Sequence, residues 1–156
     1  MNAPAPAGPV RTAARPRWND YDLLGHLNQA VYHELLEQGR VALLAQAGAD
    51  SRRFVLARVE LDYRREVAYP DRELVVETGV ERIGRASVRL AQRVVRGDGE
   101  VAADGVTVIV GWDPQARTSR PLDDSERAAL ARHAVDGADG AGAAAAAAAG
   151  RPAAGA

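Results

Sequence analysis

Hydrophobic and polar positions alternate along this 156-residue chain with two different periods, and the change of period divides it into elements. Val31, Leu35, Leu36, Leu43 and Leu44 recur at helical spacing, predicting a helix from near Asn28 to about Ala47 that stops at Gly48. Gly39 lies inside that helix, where it costs about 1 kcal/mol relative to Ala unless something must approach closely. From Phe54 to Tyr69 the odd positions carry Val55, Ala57, Val59, Leu61, Tyr63, Val67 and Tyr69, while most even ones are charged, so one long half-buried strand is expected, interrupted only at Arg65. After a turn at Pro70-Asp71, Leu74, Val76, Thr78 and Val80 mark a second strand. Gly84 breaks the chain, and Ala86, Val88, Leu90 and Val94 mark a third. Gly97-Asp98-Gly99 reads as a hairpin turn into a fourth strand, with Val106, Val108, Val110 and Trp112 on one face. Asp113-Pro114 ends the sheet, and Leu122 to Val135, capped by Asp123, Asp124 or Ser125, reads as a short terminal helix. A short strand, a long helix and four long antiparallel strands define an α+β domain with an exposed sheet edge, which invites pairing with a second copy.

The ends fall outside this pattern. Residues 1–9 alternate Ala and Pro as a flexible leader, residues 10–135 form the single domain, and residues 136–156 read as a disordered Gly/Ala tail. Twenty basic residues against 21 acidic ones give no bulk charge for nucleic acid and no polybasic membrane anchor. All 20 basic residues are Arg, the mark of a high-GC genome, so a single Arg is weak support for anion binding. Without cysteine there is no disulfide, thiolate zinc site or cysteine nucleophile, and three histidines do not suggest a metal centre. With no secretory leader and no apolar run long enough for a membrane span, a cytoplasmic protein with no membrane or nucleic-acid partner is expected.

Candidate chemistry concentrates between Arg17 and Arg40, where Asp20, Asp22, His26 and Asn28 occupy a Gly-broken loop running into the helix. Ionisable groups there adjoin the unpaired N–H groups of the first helical turn, a place suited to a developing negative charge. The bland alternatives stand beside this reading. Asp20 and Asp22 are good Asx-turn residues, with Asp20 pairing with Arg17; Asn28 is a preferred N-cap; His26 is as readily a structural histidine; Tyr32 is more often core. Glu37 and Arg40, three apart, form an ordinary surface pair if exposed and a more consequential one if buried.

The pattern R-W-x-D-x-D-x-x-G-H-x-N-x-x-x-Y-x-x-x-x-E-x-x-R resembles that of hotdog-fold acyl-CoA thioesterases of the 4-hydroxybenzoyl-CoA thioesterase-like family. Tyr69-Pro70-Asp71, Arg82 to Ser87 and Gly99 to Ala103 extend the resemblance over roughly residues 10 to 125. It implies a long central helix wrapped by a mainly antiparallel sheet of about five strands, and a hydrolase that needs no cofactor or metal. By position it implies Asp22 as nucleophile or general base, with His26 and Asn28 in the catalytic set. It further implies backbone N–H groups near Gln29 and Ala30 as oxyanion donors, and Tyr32, Arg85 and Ser87 as substrate-binding residues. Glu37 is the backup acid, since a second thioesterase subgroup carries its acid on the helix, though after a Gly-Gly turn that is missing here. The substrate implied is an acyl-CoA or acyl-carrier-protein thioester, and the assembly a homodimer or homotetramer with shared sites. A non-catalytic acyl-CoA binder is the rival class. The hydratase pattern D-x-N-P-x-H is absent, as is any G-x-S-x-G around Ser51, Ser87, Ser119 or Ser125.

Overall fold

A computed structural model describes residues 7–136. The leader and tail expected at 1–6 and 137–156 lie outside the described residues. In chain order the elements are β1 (Val10–Ala14), α1 (Gln29–Gln46), β2 (Phe54–Tyr63), β3 (Leu74–Ile83), β4 (Ser87–Arg96), β5 (Val101–Asp113), the two-residue β6 (Thr118–Ser119) and α2 (Asp124–Ala131). The strands run β1-β3-β4-β5-β2, each antiparallel to its neighbour, with β6 paired to the end of β5. The sheet curls around α1, and the helix packs chiefly on β1, β3 and β4. This is the hotdog arrangement expected from the resemblance.

Helix α1 starts where Asn28 Oδ1 accepts the Ala30 amide and ends before Gly48, whose positive φ of 72° no Cβ opposes. Its buried stripe joins two apolar clusters. Tyr32, Leu35 and Leu36 pack with Leu27, Val67, Leu74 and Val94, while Leu43, Leu44 and Ala47 pack with Val10, Val88, Leu90 and Ile109. Between the clusters lies a polar layer. Gln92, on β4 where an apolar residue would continue the alternation, donates through Nε2 to Leu36 O (2.9 Å) and Thr78 Oγ1 (3.0 Å). Its Oε1 accepts from Thr107 Oγ1 (2.6 Å) and from Arg40 Nη1 (3.4 Å).

Gly39 sits against this layer and explains why the helix tolerates it. A Cβ there would lie 2.6 Å from Thr78 Oγ1 and 2.7 Å from Val76 Cγ1, both on the strand beneath. Gly39→Ala is therefore expected to destabilise by about 1–2 kcal/mol, overpacking outweighing the gain in helix propensity. Urea unfolding checks this: a variant as stable as wild type would mean that the helix lifts off the sheet at little cost.

Four expectations need correction. The strand starting at Phe54 ends at Tyr63 rather than Tyr69, because Arg64 and Arg65 both turn their amides to Ala102 O and the chain leaves the sheet. A bulge between Leu56 and Arg58 also switches the inward face, from the even-numbered Phe54 before it to the odd-numbered Val59 and Leu61 after it. On β5, Val106, Val108 and Val110 do share one face, and it is the outer one, while Thr107 and Ile109 face α1; both faces are apolar, so alternation identifies the strand but not its inner side. Helix α2 ends at Ala131, and residues 133–135 run along the free side of β3, where Val80 N–H donates to His133 O (2.8 Å) and Val135 N–H to Val80 O (2.9 Å). Finally, residues 7–9 are tied down rather than loose, since Ala7 N–H donates to Arg132 O (2.7 Å) and His133 Nδ1 lies 3.2 Å from Gly8 O. One sheet edge is thus β1, paired among the described residues only with β3, with residues 133–135 continuing along β3 beyond the end of β1. The other, β2, pairs only with β5.

Candidate active site

Asp20 builds the floor of the loop before α1. It is 7% exposed, its carboxylate accepts from Arg17 N (2.6 Å) and Nη2 (3.1 Å), and its carbonyl accepts the Asn28 amide (2.8 Å). Burial alone would raise its pKa, but the Arg17 guanidinium and amide outweigh burial and hold the carboxyl below the usual range. Asp20 is therefore a committed anion that shapes the loop, as its pairing with Arg17 led us to expect.

Asp22 is placed differently. Oδ1 accepts from the amides of Leu24 (2.8 Å) and His26 (3.0 Å), an Asx turn closed by Asp22 N–H to His26 O (2.8 Å). Gly25, with φ of 77°, makes that tight turn possible. Oδ2 has no hydrogen-bond partner among the described residues, and the residue is exposed. The turn and the chemistry are thus compatible: one oxygen fixes the carboxylate and leaves the other open.

The remaining candidates sort by what their atoms already do. Asn28 Oδ1 caps the helix by accepting the Ala30 amide at 3.0 Å, so that expected oxyanion donor is already paired here, whereas Asn28 Nδ2 has no partner among the described residues. The Gln29 N–H, also in the first turn, has no acceptor among the described residues. His26 reaches Glu66 Oε2 at 2.8 Å through Nε2, rather than Asp22. Tyr32 is 3% exposed and packs edge-on to Tyr63 (centroids 5.1 Å apart), and burial pushes its phenol up to about 12, keeping it a neutral donor.

These residues come together in an open groove of about 480 Å³. Asp22, His26, Asn28, Gln29 and Tyr32 form one side, and Tyr63, Arg64 and Glu66 the other. Sequence reading missed Tyr63 and Glu66, because both were absorbed into the long alternating strand; the interruption at Arg65 was the signal that the chain turns there.

Three expected residues are elsewhere. Glu37 is exposed more than two turns along α1, about 13 Å from Asn28 at the helical rise. Arg85 and Ser87 lie where β4 begins, with Ser87 opposite Val110 of β5, whereas the groove lies at the other end of the sheet, where Arg96 Nη1 donates to Glu66 O (3.0 Å). The length of β4 puts roughly 30 Å between Ser87 and that end. No single chain unites Ser87 with Asp22.

A larger hollow of about 900 Å³ lies on the outer face of the sheet and shares only Arg64 with the groove. Its charges are matched in pairs: Glu77 with Arg93 (2.9 Å), Glu81 with Arg89 (2.6 Å) and Asp104 with Arg64 (2.6 Å). Arg89 is thus one half of an ion pair on the outer face of the sheet. Among the described residues no helix is long and apolar enough to cross a membrane.

A curled antiparallel sheet around one long helix, with an acid-bearing loop at the helix N-terminus, defines a hotdog protein equipped for acyl chemistry. Residues 16–132 match the family model of the thioesterase-like superfamily, and the chain belongs to that family: it is a thioester hydrolase. No curated protein matches it. Among solved structures it is similar to a thioesterase from Thermus thermophilus complexed with coenzyme A and zinc (32% identity, TM-score 0.73, covering 80% of this chain and 98% of that one). It is also similar to a predicted thioesterase from Bacillus stearothermophilus (27% identity, TM-score 0.76, 83% and 99%). A 1,4-dihydroxy-2-naphthoyl-CoA thioesterase from Synechocystis, at 14% identity and TM-score 0.69 over 79% and 96%, shares the fold.

Proposed function

We propose that this chain hydrolyses acyl-CoA thioesters to a carboxylate and free CoA, with Asp22 as the acid that drives the reaction. The observation carrying this reading is the Asp22 carboxylate, fixed through Oδ1 by two amides and open at Oδ2 in a groove shared with the N-terminus of α1. As a general base, Oδ2 takes a proton from water as the water oxygen bonds to the carbonyl carbon; the C–S bond then breaks, and the thiolate leaves with the proton. As a nucleophile, Oδ2 forms a mixed anhydride, releases the thiolate first, and water cleaves the anhydride afterwards. In both routes the carbonyl oxygen becomes negative, and the Gln29 N–H at the positive end of α1 is the donor suited to it. Such a donor contributes about 10²–10³ in turnover. His26, held by Glu66, orients the loop and lines the groove.

Coenzyme A in the Thermus thermophilus relative supports CoA as the carrier; an acyl-carrier-protein thioester is the alternative. A panel of acyl-CoAs followed by free-thiol release, run beside the same acyl groups on carrier protein, tests the reading. Faster cleavage of carrier-protein thioesters throughout would reassign the carrier, and no thiol release from either would overturn the activity.

The active unit we propose is a homodimer built across β2. The groove lies at the Tyr63 end of β2 and Ser87 at the Phe54 end, so a second copy paired antiparallel along β2 brings its Arg85 and Ser87 to the first copy's groove. Both ends of the sheet are open, and the exposed Leu56 and Tyr63 favour the β2 edge. Light scattering at assay concentration is expected to give at least twice the 16.5 kDa chain mass. A fully active monomer would overturn the shared site.

A further inference from the structure

Arg40 is the one residue of α1 whose surroundings in a single chain do not account for it. It is 8% exposed, its only hydrogen bond among the described residues is the long one to Gln92, and no carboxylate lies within 4.0 Å of it there. Burial opposes its charge and lowers its pKa, with Glu37, one turn back, the only group acting the other way. A guanidinium in that condition is costly unless an anion reaches it.

Its position says where the anion comes from. His33, Glu37, Arg40 and Leu44, spaced four, three and four apart, form one flank of α1. Arg40 reaches Gln92 Oε1 beside Thr107, and Thr107 is paired with Val59, in the middle of β2. The buried cation is therefore level with the centre of the open edge strand. A two-fold axis just outside β2 passes within roughly 10 Å of Thr107, given the spacing of strands, and so gathers two such cations near itself. Residues 37 and 40 also straddle the middle of α1, so the symmetry that sets Glu37 of one copy opposite Arg40 of the other sets Arg40 opposite Glu37.

We propose that Glu37 of each copy neutralises Arg40 of the other across the two-fold, making this reciprocal pair the electrostatic lock of the dimer. The inference rests on the β2 dimer proposed above and gives Glu37 a role other than backup acid. It also makes the dimer selective, since a partner without the carboxylate leaves a buried charge unpaired.

Sedimentation velocity on Glu37→Arg and Arg40→Glu tests it. Each variant alone is expected to dimerise roughly thirtyfold or more weakly than wild type. Mixed in equal amounts, they are expected to form a dimer of wild-type strength, because every cross-pair then joins opposite charges. A Glu37–Arg40 contact within one chain predicts no such rescue on mixing. Should Arg40→Glu fail to fold, Glu37→Gln is compared in wild-type and Arg40→Gln backgrounds: weakening only in the former supports the pair, and equal weakening overturns it. A wild-type dimer indifferent to Glu37→Arg overturns this pairing alone, whereas a wild-type monomer overturns the dimer and the pairing together.

Discussion

Asp22→Asn is expected to fold like wild type and to cleave thioesters about 10²–10⁴ times more slowly, the range associated with loss of a general base. The amide oxygen of Asn can accept from the Leu24 and His26 amides just as Oδ1 does, so the Asx turn survives. What replaces Oδ2 is an NH2 group, which neither attacks a carbonyl nor takes a proton from water. The loss should appear in kcat and kcat/KM alike, since the interaction is made in the transition state. Asp20→Asn makes the useful contrast: it weakens the bonds to Arg17 that hold the loop, with a milder effect on turnover. Free-thiol release and thermal unfolding on the same preparations separate the two. Near wild-type turnover in Asp22→Asn together with its loss in Glu37→Gln would move the acid to the helix.

The largest effect on stability is expected at Gln92. Replacing it with Leu keeps the approximate volume of a fully buried side chain but removes the acceptor of Thr107 Oγ1 and Arg40 Nη1 and the donor to Thr78 Oγ1 and Leu36 O. Each buried polar group left unpaired costs about 1–3 kcal/mol, so a loss of about 3–5 kcal/mol is expected for the layer as a whole. Urea denaturation should show a lower midpoint at unchanged slope. A variant within about 1 kcal/mol of wild type would show that water enters the layer and satisfies those groups.

Much of this fold was legible locally. The bounds of α1 follow from Asn28 as a cap, the apolar spacing and Gly48; the β4–β5 turn follows from Gly97-Asp98-Gly99; and α2 opens at Asp123, as one of three possible caps. In each case the determining contacts lie within a few residues, so the period and the caps suffice. Where β5 is apolar on both faces, the same reasoning could identify the strand but not its inner side.

The candidate site divides along the same line. Sequence by itself placed Asp22, His26, Asn28 and Gln29 together, because one loop and one helical turn carry them, and it identified Gly39 as a point of close approach. Tertiary structure alone decided which of their atoms are free. Asn28 Oδ1 accepts the Ala30 amide, and Glu66, arriving from beyond β2, claims His26. Likewise Ser87 falls at the far end of a ten-residue strand, and Arg40 is buried against Gln92, 52 residues away in sequence. Such facts depend on strand order and register, which arise from pairing between distant segments, whereas periodicity and caps report only on neighbours along the chain.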